Sequence, residues 1–471
     1  MIKKIKKWLP LQPLLLFLLA TPAFVGAQQP NIILIVADDL GWTDLSCYGS
    51  DFYETPHLDQ LAANGLKFNQ AYAACTVCSP TRAALMTGKY PARTHITDWI
   101  KGYQRPDAPL LPPDWTMHLP LEETTIAELL KSKGYATASV GKWHLGHEEK
   151  YYPENQGFDI NIAGYFKGSP TSYFSPYKNP RLKDGDDGEQ LTDRLTDEAL
   201  AFIAANKEKP FFVYLPFYAV HTPLNAKQED LDYFQKKQNP EKHHQNPVYA
   251  GLIKNMDRNI GKMMARLDKL QLTGQTIVIF TSDNGGLIGN RRQRDKQVTS
   301  NYPLREGKGT AYEGGTRVPA IFFWKDHIQP GQAEVPIISM DIFPSIASLA
   351  HIDKSKWPQN DGMDLTPFLL KKRAIEPRNL YWHYPHYHSQ GATPYSAIRQ
   401  GDFKLIYFYE TGKKELYHLS RDVGEQNDIS ADNKEKTDQL FAALQQWLRQ
   451  TNAQFPLPNP AYRQEQQKPQ Q

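Results

Sequence analysis

The chain has 471 residues, 40% of them hydrophobic, and a formal net charge of +3. That length exceeds one typical domain and the apolar content supports a real core, so a large domain with a smaller one is expected. The charge is nearly balanced, at 54 basic against 51 acidic residues, which leaves no reason to expect a nucleic-acid partner, and three cysteines are too few for a disulfide scaffold.

Residues 1–27 read as a secretory signal. Lys3, Lys4, Lys6 and Lys7 give a basic start, Leu14 to Ala20 an apolar run, and Val25-Gly26-Ala27 a small-residue cleavage site. Removing that segment, with its four lysines and no acid, would leave a formal charge of −1. The apolar run is too short to span a bilayer and no cysteine near the cleavage site could take a lipid. A periplasmic or secreted protein without stable membrane insertion is the expectation. Cys47 and Cys75 would then either form a bridge or remain two free thiols.

Asn31 to Ala37 is a continuous apolar run, as a parallel strand buried on both faces requires, and it ends in Asp38-Asp39. Adjacent carboxylates leaving a buried strand must be solvated, cap something or bind a cation. Thr55-Pro56 opens a helix reaching about Gly65. Cys78 to Gly88 reads as a short helix, with Ser79 as N-cap, Pro80 at the first position and Gly88 at the close. Its start would place Cys78 beside free backbone N–H groups, where an anion is readily held, with Arg82 one turn along. Thr125-x-x-Glu128 is a capping box for a helix ending at Gly134. Tyr135 to Val140 is a strand that delivers Gly141-Lys142-Trp143-His144 at its end.

Leu191 to Asn206 is an amphipathic helix, Phe211 to Phe217 a buried strand followed by His221, and Gln235 to Pro247 an exposed insertion. The apolar stripe from Tyr249 to Leu267 has helical spacing. Gln275 to Thr281 is a further strand, ending in Ser282-Asp283-Asn284-Gly285-Gly286. Several strands thus end in residues able to bind an anion or a cation, and in open α/β sheets ligands bind at the carboxyl ends of the strands. From about Arg378 the pattern becomes aromatic-rich short strands, then a helix from Lys434 to Arg449. Asn452 to Gln471, rich in Pro and Gln, reads as a disordered tail.

Cys78-x-Pro80-Thr81-Arg82, followed by a small-residue helix and Thr87-Gly88, resembles the signature of the formylglycine-dependent (type I) sulfatases, with Thr81 where serine is commoner. Asp38-Asp39-Leu40-Gly41-Trp42 resembles that family's N-terminal metal motif, Gly141-Lys142-Trp143-His144 its Gly-Lys-x-His motif, and Arg305 to Pro319 its second signature, which places Lys308 on a sulfate-binding lysine. The resemblance implies an alkaline-phosphatase-like α/β fold: a large mixed sheet sandwiched by helices over residues 28–375, and a small C-terminal α+β subdomain with an antiparallel sheet over 376–451.

It also implies a sulfatase whose Cys78 is oxidised by a separate maturase to formylglycine, the hydrated aldehyde being the nucleophile. Asp38, Asp39, Asp283 and Asn284 would hold one divalent cation, and such hard oxygen donors favour calcium or magnesium over zinc. Arg82 and Lys142 would hold the nucleophile's oxygens and Lys308 the sulfate. His221 would give a proton to the departing alcohol, and His144 would take one from the second hydroxyl.

Two alternatives stand beside this reading. A phosphate or phosphonate ester hydrolase of the same superfamily would, in its two-zinc form, carry an Asp-His pair where this chain has Asp283-Asn284. A non-catalytic glycan-binding relative would not need the full set of reactive residues. Tyr90 to Trp99 and Trp382 to His388 resemble segments that line the sugar pocket of polysaccharide-degrading sulfatases. They imply a sulfated carbohydrate substrate with Arg93, His95, Asp98, His383 and His386 as contacts, and Ile96 to Trp99 resembles enzymes acting on sulfated galactose or N-acetylgalactosamine.

Overall fold

The computed structural model describes residues 2, 4, 29–238, 243–289, 297–371 and 373–462. The expected signal segment lies outside the described residues apart from Ile2 and Lys4. No described helix is long and apolar enough to cross a membrane.

In chain order the strands are β1 (Asn31–Ala37), β2 (Leu66–Tyr72), β3 (Leu110–Leu111), β4 (Ala136–Val140), β5 (Ile160–Ile162), β6 (Phe211–Pro216), β7 (Thr276–Ser282) and β8 (Arg317–Phe323), then β9 (Gly331–Ala333) and β10 (Ile337–Ile338). Five more follow: β11 (Asn379–Tyr384), β12 (Tyr395–Gln400), β13 (Phe403–Phe408), β14 (Lys414–His418) and β15 (Leu457–Pro458). A nine-stranded mixed sheet runs β10-β2-β8-β7-β1-β6-β4-β5, with β9 also paired to β2. Its centre is parallel, β1 lying between β6 and β7, and β8 turns antiparallel against β7. Every residue of β1, β6 and β7 is buried, which explains why these strands read as unbroken apolar runs.

Two helix groups cover the sheet. Pro56–Asn64, Leu191–Ala205 and Pro247–Lys269 pack together, as do Cys78–Thr87, Ile126–Ser132 and Ile342–Leu349. The predicted Thr125/Glu128 capping box is present in both its bonds. β11 to β14 form the antiparallel sheet of the smaller unit, with helix Lys434–Gln450 against β12 and β13. The core of that unit also takes in Tyr72, Val77, Ala84 and Met340 from the larger one, so the two are joined by continuous apolar packing.

Three expectations are corrected. The helix at Cys78 is capped by Val77, not Ser79; the Ser79 hydroxyl instead donates to the His144 carbonyl at 2.9 Å, so it ties two site segments together. The stretch Gln235 to Pro247 is not wholly exposed, because His244 is buried, pairing with Ser50 and the Ser300 carbonyl. Disorder does not begin at Asn452: β15 pairs with β3, and Asn459 donates to the carbonyls of Pro106 and Ala108, which holds the chain to the body through this stretch. Residues 463–471 lie outside the described residues. Cys47 and Cys75 are both free.

Candidate active site

The register of β1 against β7 pairs Ala37 with Ser282, so the residues that follow emerge side by side. Asp39 takes a left-handed backbone (φ 62°), strained for a residue with a Cβ, and its N–H donates to Asp283 Oδ1 at 3.2 Å. The Asn284 amide donates to Asp39 Oδ1 at 2.9 Å. β4 ends at Gly141, whose φ of +131° and contact with the Pro216 carbonyl leave no space for a Cβ. Gly141 therefore lets the chain turn close to β6 and deliver Lys142 inward.

Three carboxylates meet three cations here, all of them buried. The Arg82 guanidinium donates from Nε (2.9 Å) and Nη2 (2.7 Å) to Asp283 Oδ2. Lys142 Nζ donates to Asp38 Oδ2 at 2.7 Å. Lys308 Nζ sits 2.7 Å from Asp39 Oδ1 and 3.5 Å from Cys78 Sγ. Cys78 itself lies at the start of its helix with its Sγ 3.8 Å from Asp38 Oδ1. Burial pushes its thiol up to about 12 against the opposing pull of Lys142 and Lys308, so the unmodified group is a neutral thiol at neutral pH and a poor nucleophile.

The two histidines are fixed in different tautomers. His144 Nε2–H donates to the Ile100 carbonyl at 2.5 Å, while its Nδ1 is buried and has no partner, which leaves an unprotonated acceptor inside the site. Burial and Lys142 hold that ring well below the usual histidine range. His221 instead uses Nδ1–H on the Thr222 carbonyl at 2.5 Å and turns Nε2 to Lys308 Nζ, 3.4 Å away. Burial, opposed by Asp39 and reinforced by Lys308, lowers His221 to about 4.

The same cluster fits a hard divalent cation. Asp38, Asp39 and Asp283 are fully buried carboxylates, and Asn284 Oδ1 is a buried oxygen with no hydrogen-bond partner. One ligand atom each from Asp38, Asp39, Cys78 and His221 can be chosen so that all lie within 4.8 Å of one another. Burial, opposed by Lys142 and reinforced by Asp283 and Asp39, pushes Asp38 up to about 8, the response expected of a desolvated carboxylate crowded by two others. Oxygen donors in this number suit calcium or magnesium.

A cavity of about 280 Å³ opens onto Cys78, His144, His221 and Lys308, close to the lower end of the range for small-molecule sites, roughly 300–1,000 Å³. Its other walls are Trp99, Ile100, Gly168, Ser169, Thr222, Leu287 and the turn His388-Ser389-Gln390. The five residues expected to contact a sugar are not among them. Arg93 is engaged by Asp361, with Nη2 2.7 Å from Oδ1. His95 Nε2–H donates to the Asn452 carbonyl at 2.9 Å. Asp98 is buried and accepts from Tyr384 Oη and the Trp99 N–H, both at 2.8 Å. His383 spans Ser396 and the Gln454 carbonyl, and His386 pairs with Thr97. Three of them, His95, Asp98 and His386, hold the C-terminal unit against the Tyr90 to Trp99 segment, whereas Arg93 is tied to the larger unit and His383 within the C-terminal one. Sequence reasoning passed over His388 and Gln390; the only available signal was that His388 closes the His-rich run from Trp382, beyond the end of β11.

The sulfatase family profile matches residues 30–352, and that of the N-sulphoglucosamine sulphohydrolase C-terminal region matches residues 307–454. The chain is 34% identical to the N-acetylgalactosamine-6-sulfatase of Sus scrofa, over 88% of this chain and 84% of that one. It is 33% identical to arylsulfatase A of Homo sapiens, over 92% and 90% of the two chains. Among solved structures, Ps i-CgsB in complex with k-i-k-neocarrahexaose superposes with a TM-score of 0.76 at 31% identity, over 93% of this chain and 96% of that one. With the profile spanning most of the chain and a cysteine-led helix facing buried carboxylates and lysines at the strand ends, this protein belongs to the sulfatase family and is a sulfuric ester hydrolase of the alkaline-phosphatase-like α/β fold.

Proposed function

We propose that this chain is an exported hydrolase of O-sulfate esters on a carbohydrate, a galactose or N-acetylgalactosamine sulfate in particular. The observation that carries the reading is the convergence on one small cavity of Cys78, at its helix start, with His144, His221 and Lys308. The galacto assignment is supported by the similarity to N-acetylgalactosamine-6-sulfatases and to a structure holding a neocarrahexaose. Export is supported by the basic, apolar and small-residue order of residues 1–27.

Residue 78 is read as formylglycine, made from Cys78 by a maturase, which supplies a hydrated aldehyde as nucleophile in place of the weak thiol. A calcium or magnesium ion held by Asp38, Asp39, Asp283 and Asn284 supplies positive charge against sulfate oxygens. Arg82 and Lys142 orient residue 78 from the side of the carboxylates they already bind, and Lys308 faces the sulfate. Charge develops on the bridging oxygen as the ester breaks, so a proton must reach it. His221 Nε2 is the atom placed to carry that proton, since Nδ1 is committed to Thr222; it is unprotonated at rest and must first take a proton up, for which Lys308 Nζ, 3.4 Å away, is the adjacent donor. His144 Nδ1 is placed to receive one, since Nε2 is committed to Ile100.

The test is expression with a formylglycine-generating maturase, followed by peptide mass analysis and assay. The peptide ending at Arg82 should show sulfur replaced by oxygen with loss of two hydrogens, and Cys78→Ala should be inactive. Full activity in Cys78→Ala would overturn the mechanism. Turnover of aryl sulfates with none of any sulfated galactose or N-acetylgalactosamine would overturn the substrate reading.

A further inference from the structure

The turn that follows β11 puts one more side chain against the cavity. His388 N–H donates to the Ala392 carbonyl at 3.0 Å and its own carbonyl accepts from the Gly391 N–H at 2.9 Å, which closes the turn. The ring packs on Gly309, where a Cβ would stand 2.0 Å from the His388 Nδ1; with φ at +83° as well, only glycine fits there. Position and rotation of the ring are therefore set by the backbone of both structural units.

Its protonation is set too. The Gln390 backbone N–H points at Nδ1 from 3.2 Å, and a backbone N–H can only donate, so Nδ1 is the acceptor. Burial, reinforced by Lys308, holds the ring neutral at neutral pH. A neutral ring accepting at Nδ1 carries its proton on Nε2. No hydrogen bond within the protein uses that Nε2–H among the described residues, and the ring borders the cavity with Ser389 and Gln390 beside it.

We propose that His388 is a specificity-determining residue, whose Nε2–H donates to a hydroxyl or ring oxygen of the sugar that bears the sulfate. This rests on the carbohydrate reading above. The groups gathered around residue 78 and the carboxylates are charged, as an anion requires, whereas the His388-Ser389-Gln390 turn offers neutral, directional groups suited to hydroxyls. A site built to bond a hydroxyl discriminates strongly against a substrate that lacks it, because its own polar group is left unpaired.

The experiment has two readouts. In the matured enzyme, kcat/KM for N-acetylgalactosamine 6-sulfate and galactose 6-sulfate is divided by that for 4-nitrophenyl sulfate, in wild type, His388→Ala and His388→Gln. The ratio should fall roughly 10- to 100-fold in His388→Ala, mostly through KM, with partial recovery in His388→Gln, which restores a donor. Separately, calorimetry on the Cys78→Ala protein should show sugar-sulfate affinity weakened by His388→Ala more than inorganic sulfate affinity. An unchanged ratio, or equal weakening of both ligands, would put the ring on the sulfate or on the fold and overturn the assignment. A wild-type enzyme that cleaves 4-nitrophenyl sulfate and no sugar would remove the carbohydrate reading itself, and this inference with it.

Discussion

His221 and His144 lie in one cavity and differ chiefly in which nitrogen the backbone has claimed. Because Thr222 takes Nδ1–H of His221, only Nε2 remains for the substrate, and that atom is next to Lys308. His221→Ala should slow hydrolysis of sulfates with poor leaving groups by roughly 10²- to 10⁴-fold while leaving activated aryl sulfates much less affected, since a good leaving group departs without a proton. A series of aryl sulfates of graded acidity measures this, and parallel losses across the series would remove His221 as the acid. Most residues of this cluster were legible in the sequence because they follow a buried strand or lie in the helix that Cys78 opens; Lys308, in a loop well beyond β7, was legible only through the resemblance of Arg305 to Pro319. The sugar-facing residues were not. Arg93, His95, Asp98, His383 and His386 have the chemistry of ligands, yet their partners are Asp361, Asn452, Tyr384, Ser396 and Thr97; all but the cross-strand pair His383–Ser396 join segments far apart in sequence that no local pattern announces.

Among the elements, the end of β4 shows how a backbone position serves the site. Gly141 and Gly134 flank the same strand and both have positive φ, but a Cβ at 141 would lie 2.0 Å from the Pro216 carbonyl oxygen, whereas nothing lies within 4 Å at 134. Gly134→Ala should therefore cost only the left-handed backbone penalty, about 1 kcal/mol. Gly141→Ala adds a clash that only movement of β4 or β6 can relieve, for a total of roughly 3 kcal/mol or more, and it should displace Lys142. Urea unfolding of the two variants would check the order, and equal losses would refute the steric account. Glycine's role at 141 could be suspected from sequence because Lys142 follows it directly. The approach of Pro216 could not, since it depends on β6 neighbouring β4 in the sheet.

For the whole molecule, the joint between the two units is polar as well as apolar, and it centres on Lys404. This lysine of β13 lies 2.9 Å from Glu313 Oε1 in the larger unit and 3.0 Å from Glu425 Oε1 in its own, with all three side chains fully buried. The two carboxylates are not equivalent. Glu313 accepts from Tyr72 Oη at 2.6 Å, and although burial works against it, Lys404, Arg317 and Arg399 hold it down to about 2. Glu425 has the same lysine but no well-aligned hydrogen bond at Oε1, and burial, opposed by Lys404 and reinforced by Glu313, pushes it up to about 7. Lys404 is thus shared by the two carboxylates, and Glu425, without the two arginines that face Glu313, is the one that holds a proton. An acid whose pKa is raised by folding stabilises the folded state fully below its unfolded pKa, near 4.5, and that contribution is lost as pH rises through about 7. Glu425→Gln keeps the neutral form at every pH, so its stability relative to wild type should increase from pH 5 to pH 7.5, by on the order of 3 kcal/mol at most. Lys404→Met should be far more harmful, by roughly 3–5 kcal/mol, because it leaves buried charge uncompensated. Unfolding midpoints of wild type and Glu425→Gln across that pH range decide the matter: a constant difference would mean that Glu425 does not titrate there, and a difference moving the other way would mean that Lys404 holds it ionised.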